Sequence, residues 1–390
     1  MQIPDGPSPT LWLQWDSFTA CLQGFGIVQG SLTAAPSGTN LYLPEWPLNL
    51  NFAAFMQPIH EFYPQLANTA KVVITAHQKP DGDAMGAALG MYHFLTQLGH
   101  DATVISPTNW AAFLNWMPGC NKVINFEGHR DKSADLIRNA DVIFCLDFNV
   151  LHRTKHMEPL LSQAQATKVL IDHHQQPQES AFNFGVSNTY KSSTCEMVYD
   201  FIVESGHSNK INLDVAACLY TGLMTDTGSF RFPSTSASVH HVVAHFKELG
   251  LDHSRIHQLI YDNFLENRLR FIGHAILNRL EVLYEYNTCL MAIPAEDLQK
   301  FDIKTGDTEG LVNYLLSIQG IRFGALCIDR EEERRWSFRS VDDFDVNLFA
   351  RKHFEGGGHK NAAGGRSLEK LANTVNKFKQ VLKQYQQQLS

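Results

Sequence analysis

The stretch Val72-Val73-Ile74-Thr75-Ala76-His77-Gln78-Lys79-Pro80-Asp81-Gly82-Asp83-Ala84-Met85-Gly86 constrains the fold more than any other part of the chain. It begins as a short apolar, β-branched run, the pattern of a buried strand. It breaks at Pro80 and Gly82, with one histidine and two aspartates packed into seven residues. Small residues and an amphipathic run, Ala87 to Leu98, follow and read as a helix. A plain turn after a strand needs one Asp or Asn with its Gly, so the extra ligand types need another reason. Hard and borderline donors on the loop behind a buried strand are what a metal-dependent hydrolase requires.

The same arrangement recurs. Asp141 to Asp147 reads as a buried strand ending in an acid, and Lys168 to His174 as an apolar strand ending in Asp172-His173-His174. Thr103 to Ser106 supplies a further strand. Helical patterns run over Ser193–Glu204, over Leu213–Met224 (leading into Asp226), and through most of 236–280. Strands alternating with helices predict a parallel sheet with crossover helices. Ligands of such sheets bind outside the carboxyl ends of the strands, which is where these Asp and His residues would meet. Arg268 to Glu285 reads as one long helix. Beyond it strands are expected over Cys289–Ile293, Ile321–Ile328 and Arg335–Ser340.

The expected fold is therefore α/β: a parallel-sheet N-terminal domain with crossover helices over 56–265, a linker helix over 266–286 and a smaller α/β domain over 287–390. Met56 opens a stretch with helical spacing at Ile59, Phe62 and Leu66. Residues 1–55 are rich in Pro, Gly, Ser and Thr without a sustained period. They read as an accessory or wrongly called extension, disordered by composition; an arm packed on the domain is the alternative.

The chain of 390 residues is long enough for two domains, and its net charge of −8 argues against a broad grip on duplex nucleic acid. A short anionic substrate held locally by metals and a few arginines remains open. Seven scattered cysteines, with no C-x-x-C pair, read as buried thiols of a reducing compartment. No apolar run reaches the ~18–20 residues of a membrane span. The N-terminus lacks a basic segment before an apolar core. A cytoplasmic protein without a membrane partner is expected.

Taken together, His77, Asp81, Asp83, Asp147, His173 and Asp226 suit two divalent ions sharing a bridging group. Mixed carboxylate and imidazole donors favour Mn²⁺ over Mg²⁺, with zinc and iron also open. Two metals roughly 3.5–4 Å apart clamp a phosphate and lower the pKa of a shared water, the chemistry of a phosphoester or phosphoanhydride hydrolase. A single strand-end Asp is more often a helix N-cap, and for Asp172 capping or support of a ligand is as good a reading as ligation. The pair His240-His241, within a helical pattern and far from acids in sequence, reads as structural.

These residues carry a family resemblance. His77-Gln78-Lys79-Pro80-Asp81-Gly82-Asp83-Ala84, Asp147, Asp172-His173-His174 and Asp226 resemble the four motifs of the DHH phosphoesterase superfamily. Gly356-Gly357-Gly358-His359 with Ala362-Ala363-Gly364 resembles its C-terminal DHH-associated domain. The resemblance implies a DHH catalytic domain whose manganese ligands are His77, Asp81, Asp83, Asp147, His173 and Asp226, with Asp147 bridging and Mg²⁺ or Co²⁺ able to substitute. It implies that His174 contacts the scissile phosphate and that Asp172 orients His173.

Thr308-Glu309-Gly310-Leu311-Val312-Asn313, Trp336-Ser337-Phe338-Arg339-Ser340 and the glycine run resemble the stand-alone branch that degrades nano-RNA and 3′-phosphoadenosine 5′-phosphate (pAp). That places Asn313, Ser337, Arg339, Gly356, Gly357, Gly358 and His359 at the substrate. The glycines read either as donors of backbone N–H groups to an anion or as a tight turn. Glu355 stands where another small residue is expected; Lys360 and Arg351 either offset its charge or are simply solvated. The implied partners are short single-stranded RNA and small phosphorylated nucleotides, not long duplexes, with a homodimer as the default of the branch. A cyclic di-AMP or pApA phosphodiesterase is the runner-up; a pyrophosphatase, or a nucleotide-binding module without turnover, fits less well.

Overall fold

The computed structural model describes residues 56–390 apart from Thr305. The extension expected over 1–55 lies outside the described residues. The apolar runs pair into one sheet: β1 (Gln57–Pro58), β2 (Lys71–Thr75), β3 (Asp101–Ser106), β4 (Ile124–Asn125), β5 (Val142–Leu146), β6 (Thr167–Asp172) and β7 (Phe184–Ser187). Their order is β1-β7-β6-β5-β2-β3-β4, and every pair is parallel. Helices α1 (Gly82–Gln97), α2 (Arg130–Arg138), α3 (Glu158–Gln163), α4 (Thr194–Glu204), α5 (Leu213–Asp226), α6 (Ala237–Glu248) and α7 (His253–Tyr261) complete this domain.

Strand alternation divides the core between the two faces of the sheet. Val72 and Ile74 join Met85, Leu89, Phe201 and Leu219 on one face, while Val73 packs with Ile143, Leu170, Met157 and Leu161 on the other. Each such side chain, fully buried, contributes roughly 1.5–3 kcal/mol. The chain runs outward from β2 to β3 and then returns to the opposite side of β2 as β5, so β2 and β5 flank the switch point of the sheet. The loops after β2, β5 and β6 therefore open side by side.

Helix α1 packs on α5 through small residues at every fourth position, Gly82, Gly86 and Gly90. A methyl group built on Gly86 would lie 2.5 Å from the Cys218 carbonyl oxygen, and one on Gly90 2.6 Å from Leu219. From the other side, Gly222 of α5 would meet the Asp83 carboxylate at 2.6 Å. These helices touch backbone to backbone, which no side chain larger than hydrogen allows.

Two expectations differ from what is observed. The helical spacing of Ile59, Phe62 and Leu66 is realised as 3-10 turns at Ile59–Glu61 and Tyr63–Ala67. Pro58 and Pro64, lacking the N–H that a continuous helix needs, account for this. The linker expected over 266–286 is helical only as α8 (Glu266–Arg279). Leu280–Leu283 turns away as β8 and pairs antiparallel with β9 (Thr288–Ile293) at the edge of the second sheet. Arg279 holds the corner through two hydrogen bonds to Asp297, at 2.6 and 3.0 Å.

The second sheet continues with β10 (Phe323–Asp329), β11 (Arg334–Ser340), β12 (Gly357–His359) and β13 (Ala362–Ser367), in the order β12-β13-β11-β10-β9-β8. It is antiparallel except for the β9–β10 pair. Helices α9 (Ala295–Lys300), α10 (Val346–His353), α11 (Leu371–Leu382) and α12 (Gln386–Leu389) accompany it. Trp336 and Phe338 of β11 point into an aromatic core with Phe323, Phe349 and Phe378. Ser337 and Arg339 therefore face the opposite side.

Candidate active site

The loop after β2 places its two aspartates differently. Asp81 caps α1: its Oδ1 accepts from the backbone N–H groups of Asp83 and Ala84, both at 3.1 Å. Its Oδ2 is left facing His77 Nε2 at 3.8 Å. The N-cap and ligand readings of a strand-end aspartate thus coexist on the two oxygens of one side chain. Asp83, one residue into α1, is fully buried and reaches the start of α4, accepting from Thr194 N at 2.7 Å and Cys195 N at 2.9 Å. Those N–H groups have no partner within their own helix, and they favour a negative charge.

Asp147 follows β5 with φ +63, a conformation that L side chains seldom adopt and that Asp and Asn tolerate best. It turns the carboxylate to address two histidines at once: Oδ2 lies 3.4 Å from His77 Nε2 and Oδ1 3.4 Å from His173 Nε2. Oδ1 also accepts from the Thr194 hydroxyl at 3.0 Å. His173 Nε2 faces Asp226 Oδ2 at 3.5 Å and Asp83 Oδ2 at 3.7 Å as well. Two groups result, His77–Asp81–Asp147 and Asp83–His173–Asp226, with the ligand atoms of each within 4.8 Å of one another.

The electrostatics of these groups call for positive charge. Burial alone would depress the imidazoles, but Asp147 and Asp81 hold His77 up at about 10, and Asp147 with Asp226 and Asp83 hold His173 at about 10. Burial, then the charge of Asp147, pushes Asp83 up to about 7, and burial, then Asp83, pushes Asp226 well above the carboxylate range. Burial opposes the charge of Asp147 too, yet His173 and His77 hold it well below that range.

The ring nitrogens agree with a metal. His77 Nδ1 lies 2.8 Å from the Gln78 carbonyl oxygen and His173 Nδ1 3.4 Å from that of Lys191. Donation from Nδ1 would leave Nε2 to take a metal in place of the proton that the carboxylates hold there, the tautomer that metal ligation uses. The donor set fits a pair of divalent cations, one in each group, with Asp147 between them.

Asp172 does not support His173, as the resemblance implied. It ends β6 and holds His174: Oδ1 lies 2.7 Å from His174 Nδ1, and Oδ2 accepts from His174 N at 3.1 Å. The backbone carbonyl of Lys191 supports His173 in its place. Burial, then Asp147, pushes Asp172 up to about 6; burial, then Arg153, holds His174 well below its usual value. Replacing Asp172 by Asn is expected to lower kcat about 10–100-fold with a smaller change in Mn²⁺ affinity. Steady-state kinetics beside calorimetric metal titration check this, and an unchanged kcat would refute the orienting role.

The second domain brings His359 to the same place. Its ring stacks on His174 at 4.3 Å between centroids and lies 4.4 Å from His173. Arg339, half-buried, is pulled down by burial and held up by Asp226, Asp81 and Glu309, which places its charge among the site carboxylates. Ser337 lies two residues away on the same face of β11. Asn313 sits in a 3-10 turn, Leu311–Ser317, and none of its described hydrogen bonds reaches the site.

The glycine run needs a correction. A methyl on Gly356 would lie 1.9 Å from the Gly364 carbonyl oxygen, and one on Gly358 2.5 Å from that of Ala362. Close pairing of β12 on β13 thus explains both. Their amides are also taken: Gly358 N donates to Asn347 Oδ1 at 2.9 Å and Gly356 N to the Ala350 carbonyl at 3.3 Å. They are not donors to an anion. Glu355, at φ +45, turns outward and pairs with Arg366 at 3.1 Å, away from the imidazoles. The sequence reading missed Thr194, Arg153 and Asn347. Arg153 lies beside the Asp147 carbonyl, 3.4 Å away, and carries no sequence signal beyond its place six residues after Asp147.

Comparison with known proteins gives the family. Residues 71–223 match the DHH family, N-terminal domain, and residues 285–388 match the DHHA1 domain. The solved structure of an exopolyphosphatase-related protein from Bacteroides fragilis is 35% identical, with a TM-score of 0.80, and the match covers 84% of this chain and 96% of that one. The chain belongs to the DHH family of phosphoesterases. It is 26% identical over 295 residues to the Bacillus subtilis bifunctional oligoribonuclease and PAP phosphatase NrnA, covering 75% of this chain and 88% of that protein. It is 25% identical over 333 residues to the Bacillus subtilis cyclic-di-AMP phosphodiesterase GdpP, covering 82% of this chain and 48% of that longer protein. No described helix is long and apolar enough to cross a membrane.

Proposed function

We propose that this protein is a manganese-dependent phosphoesterase that hydrolyses short oligoribonucleotides and pAp. The observation that carries the reading is Asp147, whose two carboxylate oxygens face His77 on one side and His173 on the other. Metals held by His77, Asp81 and Asp147 and by Asp83, His173 and Asp226 would supply Lewis acidity and an activated water.

The rest falls to the protein. His174 presents Nε2 to the arriving phosphate while Asp172 matches its proton at Nδ1, either accepting from an imidazolium or donating as the acid. With Asp172 at about 6 and His174 held below its usual value, the pair offers Nε2–H to an anion without adding net charge once it has taken up one proton. His359, stacked on His174, covers the imidazoles and excludes water. Arg339 meets substrate phosphate from the second domain, and Arg153 adds positive charge beside His174.

Short substrates follow from a site closed by two domains, and the name of the Bacillus subtilis relative in the preceding subsection supports nano-RNA and pAp. The cyclic-di-AMP phosphodiesterase relative keeps pApA and cyclic di-AMP as the second reading. Purified protein with Mn²⁺, beside an EDTA control, is expected to cleave a two-nucleotide RNA at least about tenfold faster per molecule than a twenty-nucleotide RNA. Equal rates would rule out the length-limited reading. Cyclic di-AMP turned over faster than pAp would favour the second.

A further inference from the structure

Asn347 is polar, fully buried at 0% exposure, and tied in three directions. Its Oδ1 accepts from Gly358 N at 2.9 Å and from Arg351 Nε at 3.1 Å, and its Nδ2 donates to Gln175 Oε1 at 2.8 Å. The last bond crosses between the domains to the residue that directly follows His174. Gln175 is held from its own side as well, its carbonyl accepting from Asn149 Nδ2 at 2.7 Å.

Arg351 is thereby fixed along its inner edge. Its guanidinium lies against Gly357, where a methyl group would be 3.5 Å from Nε and 3.6 Å from Cζ. Gly357 and His359 stand two residues apart on β12, hence on one face and about 6.6 Å apart along the strand. The same His359 stacks on His174. Arg279, Arg334, Arg335 and Arg366 each have a carboxylate within reach. Among the described residues Arg351 has none, and its Nη1 and Nη2 make no described hydrogen bond. Glu355, four residues on, is engaged by Arg366. The result is a fork anchored at its base, open at its outer face, one strand step from the imidazoles.

We propose that Arg351 binds a second, non-scissile phosphate of the substrate and that Asn347 is its positioning residue. This rests on the phosphoesterase reading above and assigns the residue that would distinguish a substrate carrying a second phosphate from one carrying only the scissile group. Two N–H groups of a planar guanidinium match two phosphate oxygens. Because Asn347 also bonds Gln175, the fork is held in register with His174 only while the two domains are seated together.

The test compares kcat/KM for pAp with that for bis(p-nitrophenyl) phosphate, a diester with a single phosphate. In R351A the ratio of the two is expected to fall about 10–100-fold, the worth of one charge-assisted contact, with the loss in KM for pAp. R351K, which keeps charge without the fork, should recover part of it. N347A, which frees the guanidinium, and N347D, which sets a carboxylate against it in place of the neutral amide, should both lower the ratio. An unchanged ratio in R351A overturns the proposal. So does wild-type protein that turns over the diester but not pAp, which leaves the phosphoesterase reading intact. Wild-type protein inert towards both with Mn²⁺ present would sink that reading and this one with it.

Discussion

Replacing Asp147 by Asn is expected to cut phosphoester turnover by about 10²–10³-fold or more, since removal of a single preorganised electrostatic group costs that much. Asn is nearly isosteric and tolerates the left-handed backbone that Asp147 adopts at φ +63, so the loop should keep its course. What is lost is the charge that faces His77 through one oxygen and His173 through the other. The effect should therefore appear on every substrate alike and be accompanied by weaker binding of Mn²⁺. Turnover of bis(p-nitrophenyl) phosphate and calorimetric titration of the metal measure the two. An Asp147→Asn protein within about fivefold of wild type on that diester would refute the placement of Asp147 between two metal groups.

Mn²⁺ should raise the melting temperature, and EDTA should reverse the rise. A ligand that binds only the native state contributes about 2.7 kcal/mol at a hundred times its dissociation constant. At roughly 2 °C per kcal/mol for a chain of this size, that is a shift of about 5 °C. The direction follows from the site itself: burial and Asp147 push Asp83 up, and burial and Asp83 push Asp226 up, so added positive charge relieves a cost already present in the fold. The unfolded chain, with these four aspartates far apart in solution, gains little. Differential scanning calorimetry with and without Mn²⁺ decides it, with Asp147→Asn expected to show a smaller shift. A melting curve that does not move with millimolar Mn²⁺ would count against the donor set as a metal centre.

How much of this was legible beforehand depended on the range of the interactions. The strands ending at Thr75, Leu146 and Asp172 announced themselves through uninterrupted apolar runs, and parallel pairing then obliged their loops to open on one edge. Five of the six Asp and His residues could be gathered for that reason, while Asp226, at the end of α5, joined them through the family resemblance. Which histidine Asp172 supports was not legible. His173 and His174 are adjacent, and only their settled directions, one towards the Lys191 carbonyl and the other towards Asp172, distinguish them. The glycine run was misread in part because close approach of two backbones and presentation of N–H groups leave the same residues in a sequence. The end of α8 was hidden because Leu280-Glu281-Val282-Leu283 suits a helix as well as an edge strand, and pairing with β9 decided between them. Asn347 gave no local sign at all, since its partner Gln175 is 172 residues away.

The glycine contacts between α1 and α5 have a consequence for how the site behaves when the domains part. Asp83 rides on the first turn of α1 and Asp226 on the last residue of α5. With Gly86 against the Cys218 carbonyl and Gly222 against the Asp83 backbone, the helices have little room to shift, and the separation of those two carboxylates is set as if by a spacer block. All six candidate metal ligands would then keep their places in the N-terminal domain whether or not the second domain is seated against it. His359 and Arg339 arrive from the other domain and leave together. An opened molecule would keep its cations and release its nucleotide, so that exchange of product for substrate need not involve exchange of metal.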